Sequence, residues 1–191
     1  MNADETSLVA SARAGDTEAF GRLIKHHSPR IFQVAFRITR NEAAADDVVQ
    51  EASIRAYRKL DRFDGRSAFG TWLYRIAVNC AMDTMRKRQR NRETDFLDEA
   101  TDARQPATSD PGPQRLAMSR EISTTIETVL GSMTSMERTA FVLKHFEGRP
   151  LIEISEVMDI RVNAVKHAIF RAVQKLRSEL GPLTRGHYET A

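Results

Sequence analysis

The residues best suited to contact nucleic acid lie near the C-terminal end of this 191-residue chain. Two stretches with helical apolar spacing, residues 151–158 and 162–180, are separated by only three residues, the arrangement of a helix-turn-helix. The second stretch carries donor, cationic and flat side chains in its N-terminal half: Asn163, Lys166, His167, Phe170 and Arg171. Such side chains can reach base edges in a major groove. An ordinary amphipathic helix pair with a solvated face would have the same apolar positions, so both interpretations stay open.

A second group of candidate nucleic-acid contacts combines aromatic and basic side chains. Phe63, Trp72 and Tyr74 precede a run of cations at the end of the same predicted helix: Arg86, Lys87, Arg88 and Arg90. Base stacking on an aromatic ring contributes about 1–3 kcal/mol and cations neutralise phosphates, so this group could hold an unpaired strand. The alternative is that Trp72 and Phe69 belong to the core and that the cations stabilise the negative end of the helix.

A third group is acidic. Asp47, Gln50 and Glu51 share one edge of a predicted helix through their i+3 and i+4 spacing. A basic partner would fit this edge, and a solvated helix face would look the same.

No set of residues predicts catalysis or a cofactor. The chain shows neither a Ser/His/Asp set nor a glycine-rich phosphate loop, and Asp46 and Asp47 point in different directions on a helix. With one cysteine, Cys80, and five scattered histidines, we expect neither an intramolecular disulfide nor a metal site. Because the N-terminus lacks a basic flank and no apolar run approaches 20 residues, we also expect a cytoplasmic protein without membrane insertion.

The elements that carry these groups are all predicted to be helices, because apolar residues recur at i, i+3, i+4 and i+7 and period-2 alternation is nowhere sustained. In the first half, helices are expected over about residues 5–14, from a cap at Asp16, again from Pro29, from a cap at Asn41 to about residue 60, and from a cap at Ser67 to Arg90. In the second half, a helix should end at Gly131, a capping box of Thr134 and Glu137 should open the next, and Pro150 should begin the helix-turn-helix.

Composition divides this all-α chain into two small helical domains. Residues 1–90 carry 16 Lys and Arg against 11 Asp and Glu, whereas residues 91–119 carry 3 against 6. Apolar periodicity vanishes between 91 and 114, where Pro, Gly, Asp, Thr and Ser accumulate. We therefore expect domains over residues 1–90 and 115–181, a flexible acidic linker over 91–114 and a tail over 182–191.

Taken in this order, the motifs resemble the sigma-70 family of bacterial RNA polymerase sigma factors, specifically its extracytoplasmic-function (ECF) group. Residues 47–52 (DVVQEA) and 55–57 (RAY) are similar to the family's region 2.2, and residues 67–69 (SAF) with 71–79 (TWLYRIAVN) to regions 2.3 and 2.4. Residues 118–180 resemble region 4, with 153–158 (EISEVM) in the first helix of its helix-turn-helix and 170–172 (FRA) in the second.

The resemblance implies a role for each group. Asp47, Gln50 and Glu51 would dock on the β′ clamp of core RNA polymerase. Phe63 and Asn79 would capture a flipped base of the minus-ten promoter element, with Arg86, Lys87, Arg88 and Arg90 on nearby phosphates and Trp72 left in the core. The minus-thirty-five element would be contacted in the major groove by Lys144, Asn163, Lys166, His167, Phe170 and Arg171.

The resemblance also implies further partners and marks some departures. It implies the polymerase β flap as a second contact and an anti-sigma factor as an inhibitor, with the linker threading toward the polymerase cleft. Arg161 stands where the family often has a capping Ser or Thr, so Asn163 is expected to cap the last helix instead. The alternatives are a conventional helix-turn-helix regulator that binds an operator without polymerase and, less well supported, an RNA-processing enzyme.

Overall fold

The computed structural model describes residues 3–94 and 128–185, and the chain divides into two compact units, Met1–Ala103 and Arg104–Ala191. Every regular element in the described ranges is helical, which confirms the predicted fold class. The greater part of the expected linker and the last six residues of the tail lie outside these ranges. Within them, no helix is both long and apolar enough to cross a membrane.

Four helices build the first unit. They are α1 (Ala3–Arg13), α2 (Thr17–Thr39), α3 (Glu42–Lys59) and α4 (Phe69–Thr94), with a short 3-10 turn over Leu60–Arg62. Two starts follow the predicted caps: Asp16 Oδ1 accepts hydrogen bonds from the backbone N–H groups of residues 18 and 19, and Asn41 Oδ1 accepts one from residue 44.

The core of this unit lies where α2, α3 and α4 pack together. Large, fully buried side chains come from all three of these helices, among them Leu23, Ile38, Val48, Phe69 and Leu73. The apolar residues recur at helical spacing in the sequence, so each helix has one apolar face. The three apolar faces pack against one another.

The predicted break at Pro29 is wrong, because α2 runs through it without interruption. Proline removes one helical hydrogen bond and can cost about 3 kcal/mol. However, the buried residues on both sides of Pro29, such as Leu23 and Ile31, lie on one continuous face. Their shared burial against the rest of the unit offsets the lost hydrogen bond, so the chain keeps a single helix.

Helix α4 also differs from its prediction at both ends. It begins at Phe69, and Ala68 rather than Ser67 occupies the cap position, since the Ala68 carbonyl accepts the first helical bond from Trp72 N at 3.1 Å. It continues to Thr94, so the basic run lies inside the helix rather than at its end.

Helices α2 and α4 lie close together at Gly70. A Cβ added there would lie 2.6 Å from His27 Cε1 and 2.8 Å from His27 Nδ1. The His27 ring also packs beside Phe69, with ring centroids 5.7 Å apart, and its Nε2 lies 3.1 Å from Glu5 Oε1 of α1. Because Gly70 has no side chain, the His27 ring of α2 has room to contact both α4 and α1.

In the second unit, residues 128–132 are helical and are followed by α5 (Ser135–His145), α6 (Leu151–Met158) and α7 (Val162–Arg185). The capping box at the start of α5 is confirmed: Thr134 Oγ1 accepts from Glu137 N at 3.2 Å, and Glu137 Oε2 accepts from Thr134 N at 3.0 Å. Helix α7 continues five residues past its predicted end at Leu180.

The turn between α6 and α7 follows the prediction in length but not in its cap. Asp159 ends α6 in the left-handed conformation, with φ 53°, and α7 begins at Val162. The predicted cap at Asn163 is therefore wrong. Arg161 holds the cap position, its carbonyl accepts from Val165 N at 3.2 Å, and Asn163 lies within the first helical turn.

Candidate nucleic-acid and partner-binding surfaces

The acidic edge of α3 faces solvent because the opposite face of the helix is packed in the core. Val48, Ala52 and Ala56 are fully buried, and this leaves Asp47, Gln50 and Glu51 exposed together on the other side. All three predicted partner-binding residues line one groove of about 470 Å³ between α3 and α4.

This groove brings acidic and basic side chains together. Its α4 wall includes Lys87 and Arg88 from the basic run, together with Asp83. The acidic edge and the basic run are separate features in the sequence, but in the structure they border the same groove. A basic protein surface and a polyanion could therefore be bound side by side here.

Arg55 connects the two walls of the groove, and sequence reasoning missed this role. Its Nε donates to Glu51 Oε1 at 2.6 Å within α3, and its Nη1 donates to Asp83 Oδ2 at 3.0 Å on α4. Two hydrogen bonds raise the Arg55 pKa above its ordinary value; the one to Glu51 has the larger effect and the one to Asp83 the smaller. The Glu51 carboxylate is thereby held in place by a permanent cation.

The basic run follows the exposed side of α4. Arg86, Lys87, Arg88 and Arg90 are all exposed. Arg86 Nη1 lies 3.7 Å from Asp83, and Arg88 Nη2 donates at 3.1 Å to Asn41 Oδ1, the same oxygen that caps α3. The first contact lies within α4, whereas the second ties the run to the start of α3.

The aromatic residues proposed for base stacking are more buried than a stacking platform requires. Phe63 is 4% exposed, and its ring centroid lies 5.1 Å from that of Trp72 and 5.9 Å from that of Phe69. Tyr74, another candidate for stacking, is also buried, and Trp72 is half-buried. For an unpaired base to stack on the Phe63 ring, the segment between α3 and α4 has to move away from Trp72.

Asn79 lies near the middle of α4 and is half-buried. Its Nδ2 donates to the Arg75 carbonyl at 2.9 Å. An amide side chain carries both N–H donors and an oxygen acceptor, the two kinds of group that pair with a base edge.

In the second unit, the helix-turn-helix exposes the face that the sequence predicts. Val165, Ala168 and Ala172 of α7 are fully buried, as is Ile154 of α6. The opposite face of α7 gathers the candidate reading residues, all exposed at i, i+3, i+4, i+7 and i+8 spacing: Asn163, Lys166, His167, Phe170 and Arg171. Phe170 is 61% exposed, unusual for an aromatic residue without a partner to cover it. Lys144 is exposed in the last turn of α5.

One member of this face is held from within the unit. Arg171 Nε donates to Glu137 Oε1 at 2.8 Å, and Lys175 Nζ donates to Glu137 Oε2 at 2.8 Å. Burial alone raises the pKa of the Glu137 carboxyl, but hydrogen bonds from Lys175, Thr134 N–H and Arg171 outweigh burial and lower that pKa below its ordinary value. The carboxylate is thus charged at neutral pH. The sequence showed Glu137 only as half of a capping box.

Neither a metal-binding cluster nor a reactive thiol is found in the described ranges. Residues 3–94 and 128–185 hold no group of three or more His, Cys, Asp or Glu side chains arranged to bind a metal ion. Cys80 is buried, and desolvation raises its pKa to about 11, so its thiol is a poor nucleophile.

Comparison with known proteins places both units in one family. Residues 23–91 match the family description Sigma-70 region 2, and residues 123–176 match Sigma-70, region 4. The chain is 37% identical over 186 residues to the RNA polymerase sigma-H factor of Pseudomonas aeruginosa, covering 95% of this chain and 96% of that protein. It is 34% identical over 179 residues to the ECF RNA polymerase sigma factor SigW of Bacillus subtilis, covering 92% and 96% respectively.

A solved structure agrees in fold. CnrH, in its complex with the cytosolic domain of CnrY, superposes with a TM-score of 0.58 at 28% identity, covering 94% of this chain and 98% of CnrH.

Proposed function

The chain belongs to the ECF group of the sigma-70 family and acts as an RNA polymerase sigma factor, and from this premise we propose how its surfaces divide the work of transcription initiation. The first unit binds core polymerase and holds the opened minus-ten strand. The second unit reads the minus-thirty-five element as duplex DNA. The chain itself performs no chemistry. The observation that carries the proposal is the exposed face of α7, where five side chains suited to base contacts lie together.

The acidic edge of α3 binds a basic surface of core polymerase, on the β′ clamp. Support comes from the exposure of Asp47, Gln50 and Glu51 and from the fixed position of the Glu51 carboxylate beside Arg55. Asp47→Asn removes one charge from the middle of the proposed interface and should lower core affinity about 30-fold, since central contacts contribute roughly 2 kcal/mol or more.

Asp46→Asn is the matched control for this experiment, because it makes the same chemical change one residue earlier on a differently directed, exposed side chain. Labelled full-length chain is titrated with core polymerase and its fluorescence anisotropy is measured. Equal losses in the two variants would refute the proposed edge.

The basic run of α4 holds the phosphates of the opened strand. Each phosphate contact to a single strand contributes about 0.7 to the slope of log affinity against log salt concentration. We expect Lys87→Ala to reduce that slope by this amount in holoenzyme binding to a promoter fork. Lys25→Ala, an exposed lysine on α2, should leave the slope unchanged. A slope that Lys87→Ala does not alter would remove Lys87 from the interface.

Base capture at the minus-ten element involves Asn79 and the ring of Phe63. Because Phe63 is packed against Trp72, capture is accompanied by movement of residues 60–67. Asn79→Ala should weaken discrimination at one minus-ten position by about 1–3 kcal/mol, the typical value for a lost base contact. Transcription from promoters altered singly at each minus-ten position measures it, and a uniform decrease at all positions would contradict base reading.

The α7 face reads the minus-thirty-five element through Lys166, His167, Phe170, Arg171 and Asn163, with Lys144 on α5 as a further contact. Lys166→Ala should relax the sequence preference at one base pair. If Lys166 contacted only phosphate, its removal would instead weaken binding to all sequences equally. Transcription from promoters with single minus-thirty-five changes separates these outcomes.

An anti-sigma factor is the proposed inhibitor. CnrH, which resembles this chain over nearly its whole length, is seen bound to a domain of another protein, CnrY. In this chain, the exposed side chains Phe146, Ile152 and Phe170 of the second unit give a protein partner apolar surface to cover. The test is purification of the chain from its native host and identification of a stoichiometric partner that blocks its binding to core polymerase. A co-purifying partner that leaves core binding intact would count against inhibition.

A further inference from the structure

We infer that Glu137 is a positioning residue for promoter reading, since it fixes the guanidinium of Arg171 in the orientation in which that side chain meets DNA. The inference rests on the proposed role of Arg171 at the minus-thirty-five element. Glu137 lies on α5, outside the α7 face, and its side chain is only 4% exposed, whereas the Arg171 side chain is 56% exposed. Glu137 therefore acts through Arg171 rather than by touching DNA.

The Glu137 carboxylate is held at both oxygens. Oε1 accepts from Arg171 Nε, while Oε2 accepts from Lys175 Nζ and from the backbone N–H of Thr134. Lys175 is itself fixed by donating to the Ser132 carbonyl at 2.7 Å. With this many fixed partners, the Glu137 carboxylate is held in one orientation. Its Oε1 therefore fixes the position of the Arg171 Nε–H group that donates to it.

The contact with Glu137 selects which part of Arg171 is offered to DNA. A guanidinium carries five N–H donors in one plane, one on Nε and four on the two Nη nitrogens. Because Nε faces a buried oxygen while half of the side chain is exposed, the outward part of the group is its Nη end. Paired Nη donors are the ones that bind a guanine edge or a phosphate in two-pronged fashion.

Long-range electrostatics predicts the opposite effect of removing Glu137, so the two explanations can be separated. Glu137, Arg171 and Lys175 together carry a net charge of +1 at neutral pH. Replacing the glutamate by glutamine leaves +2 beside the DNA and should strengthen binding to any sequence. If positioning is the role of Glu137, the same change weakens the preference for the correct sequence.

The experiment uses holoenzyme assembled from the full-length chain and bacterial core polymerase. A promoter is first recovered with the wild-type holoenzyme from a randomised library. Transcript yield is then measured from this promoter and from a copy with a shuffled minus-thirty-five element. We expect Glu137→Gln to lower the ratio of the two yields at least about fivefold, the lower limit for a two-pronged arginine–base contact.

Four further variants make the result decisive. Glu153→Gln breaks an exposed ion pair with Arg149 in the same unit and should leave the ratio unchanged. Arg171→Ala should lower the ratio, and adding Glu137→Gln to it should have no further effect. Glu137→Asp keeps the charge, but its side chain is too short to hold Arg171 and Thr134 together, so it should also lower the ratio. If circular dichroism shows that Glu137→Gln is unfolded, Glu137→Asp replaces it in the experiment.

The failures of the two proposals are distinct. If Arg171→Ala leaves the ratio unchanged, the proposed DNA contact of Arg171 is wrong. If Arg171→Ala lowers the ratio but Glu137→Gln does not, or lowers it equally with and without Arg171, the positioning role of Glu137 is wrong.

Discussion

Replacing Gly70 by alanine should destabilise the first unit, although alanine is the better helix former. In an open helical site the change stabilises by about 1 kcal/mol. At Gly70, however, the new Cβ would lie 2.6 Å from His27 Cε1, well inside normal contact distance. Overpacking of this kind costs about 1–3 kcal/mol. Taking about 2 kcal/mol for the clash, the net result is a loss of about 1 kcal/mol.

The sign of the effect should reverse when the obstructing ring is removed. In a His27→Ala background the added methyl group no longer meets the imidazole ring, so Gly70→Ala should stabilise by about 0.5–1 kcal/mol. Gly21→Ala is the control in the wild-type chain, because Gly21 lies in α2 and its added Cβ would have no neighbour within 4 Å. It should stabilise by a similar amount.

Urea unfolding followed by tryptophan fluorescence measures all three effects. Trp72 is the one tryptophan of the chain and lies beside Phe69 in this unit, so its signal reports the first unit alone. With a slope near 1 kcal/mol per molar urea for a unit of this size, Gly70→Ala should lower the midpoint by about 1 M. An equal shift in the wild-type and His27→Ala backgrounds would refute the close-packing argument.

Three other outcomes are expected. Burial, opposed only in part by the hydrogen bond to Glu5, lowers the His27 pKa below 6.5, so the unfolded chain binds the proton more readily. The first unit should thus lose stability as pH falls below 6.5, and His27→Gln should lessen the shift of the urea midpoint between pH 7.5 and 5.5; an identical shift in both proteins would contradict it. Thr134→Ala removes an N-cap and should cost the second unit about 1 kcal/mol in thermal unfolding followed by circular dichroism; an unchanged transition would show that the cap contributes nothing. The Cys80 thiol, with its pKa raised to about 11 by burial, should react slowly with a thiol reagent at pH 8 until urea unfolds the chain; rapid reaction of the folded protein would contradict its burial.

Local signals in the sequence predicted the helices well. The caps at Asp16, Asn41 and Thr134 each act on backbone groups two or three residues away, so short patterns contain all the information required. Apolar periodicity similarly identified the exposed face of α7, because it depends only on which residues a helix must bury. Pro29 was misread since a local rule was overridden by burial contributed by distant helices.

The pairings that organise the surfaces could not be read in the same way. Arg55 meets Asp83 across 28 positions, and Arg171 meets Glu137 across 34. Neither partner is marked by spacing, because each contact depends on how two helices cross. The burial of Phe63 was hidden for the same reason: its neighbours Phe69 and Trp72 reach it only once the chain has folded back into α4.

The central claim, that the chain selects promoters as a subunit of polymerase, is tested most directly by mapping transcript 5′ ends. Core polymerase transcribes a randomised promoter library with the wild-type chain, with Asp47→Asn, or with no addition. We expect new start sites with the wild-type chain, preceded by shared minus-ten and minus-thirty-five elements, and far fewer with the variant. If the chain binds duplex DNA alone yet creates no start sites, it is a conventional regulator and not a promoter-selecting subunit of polymerase.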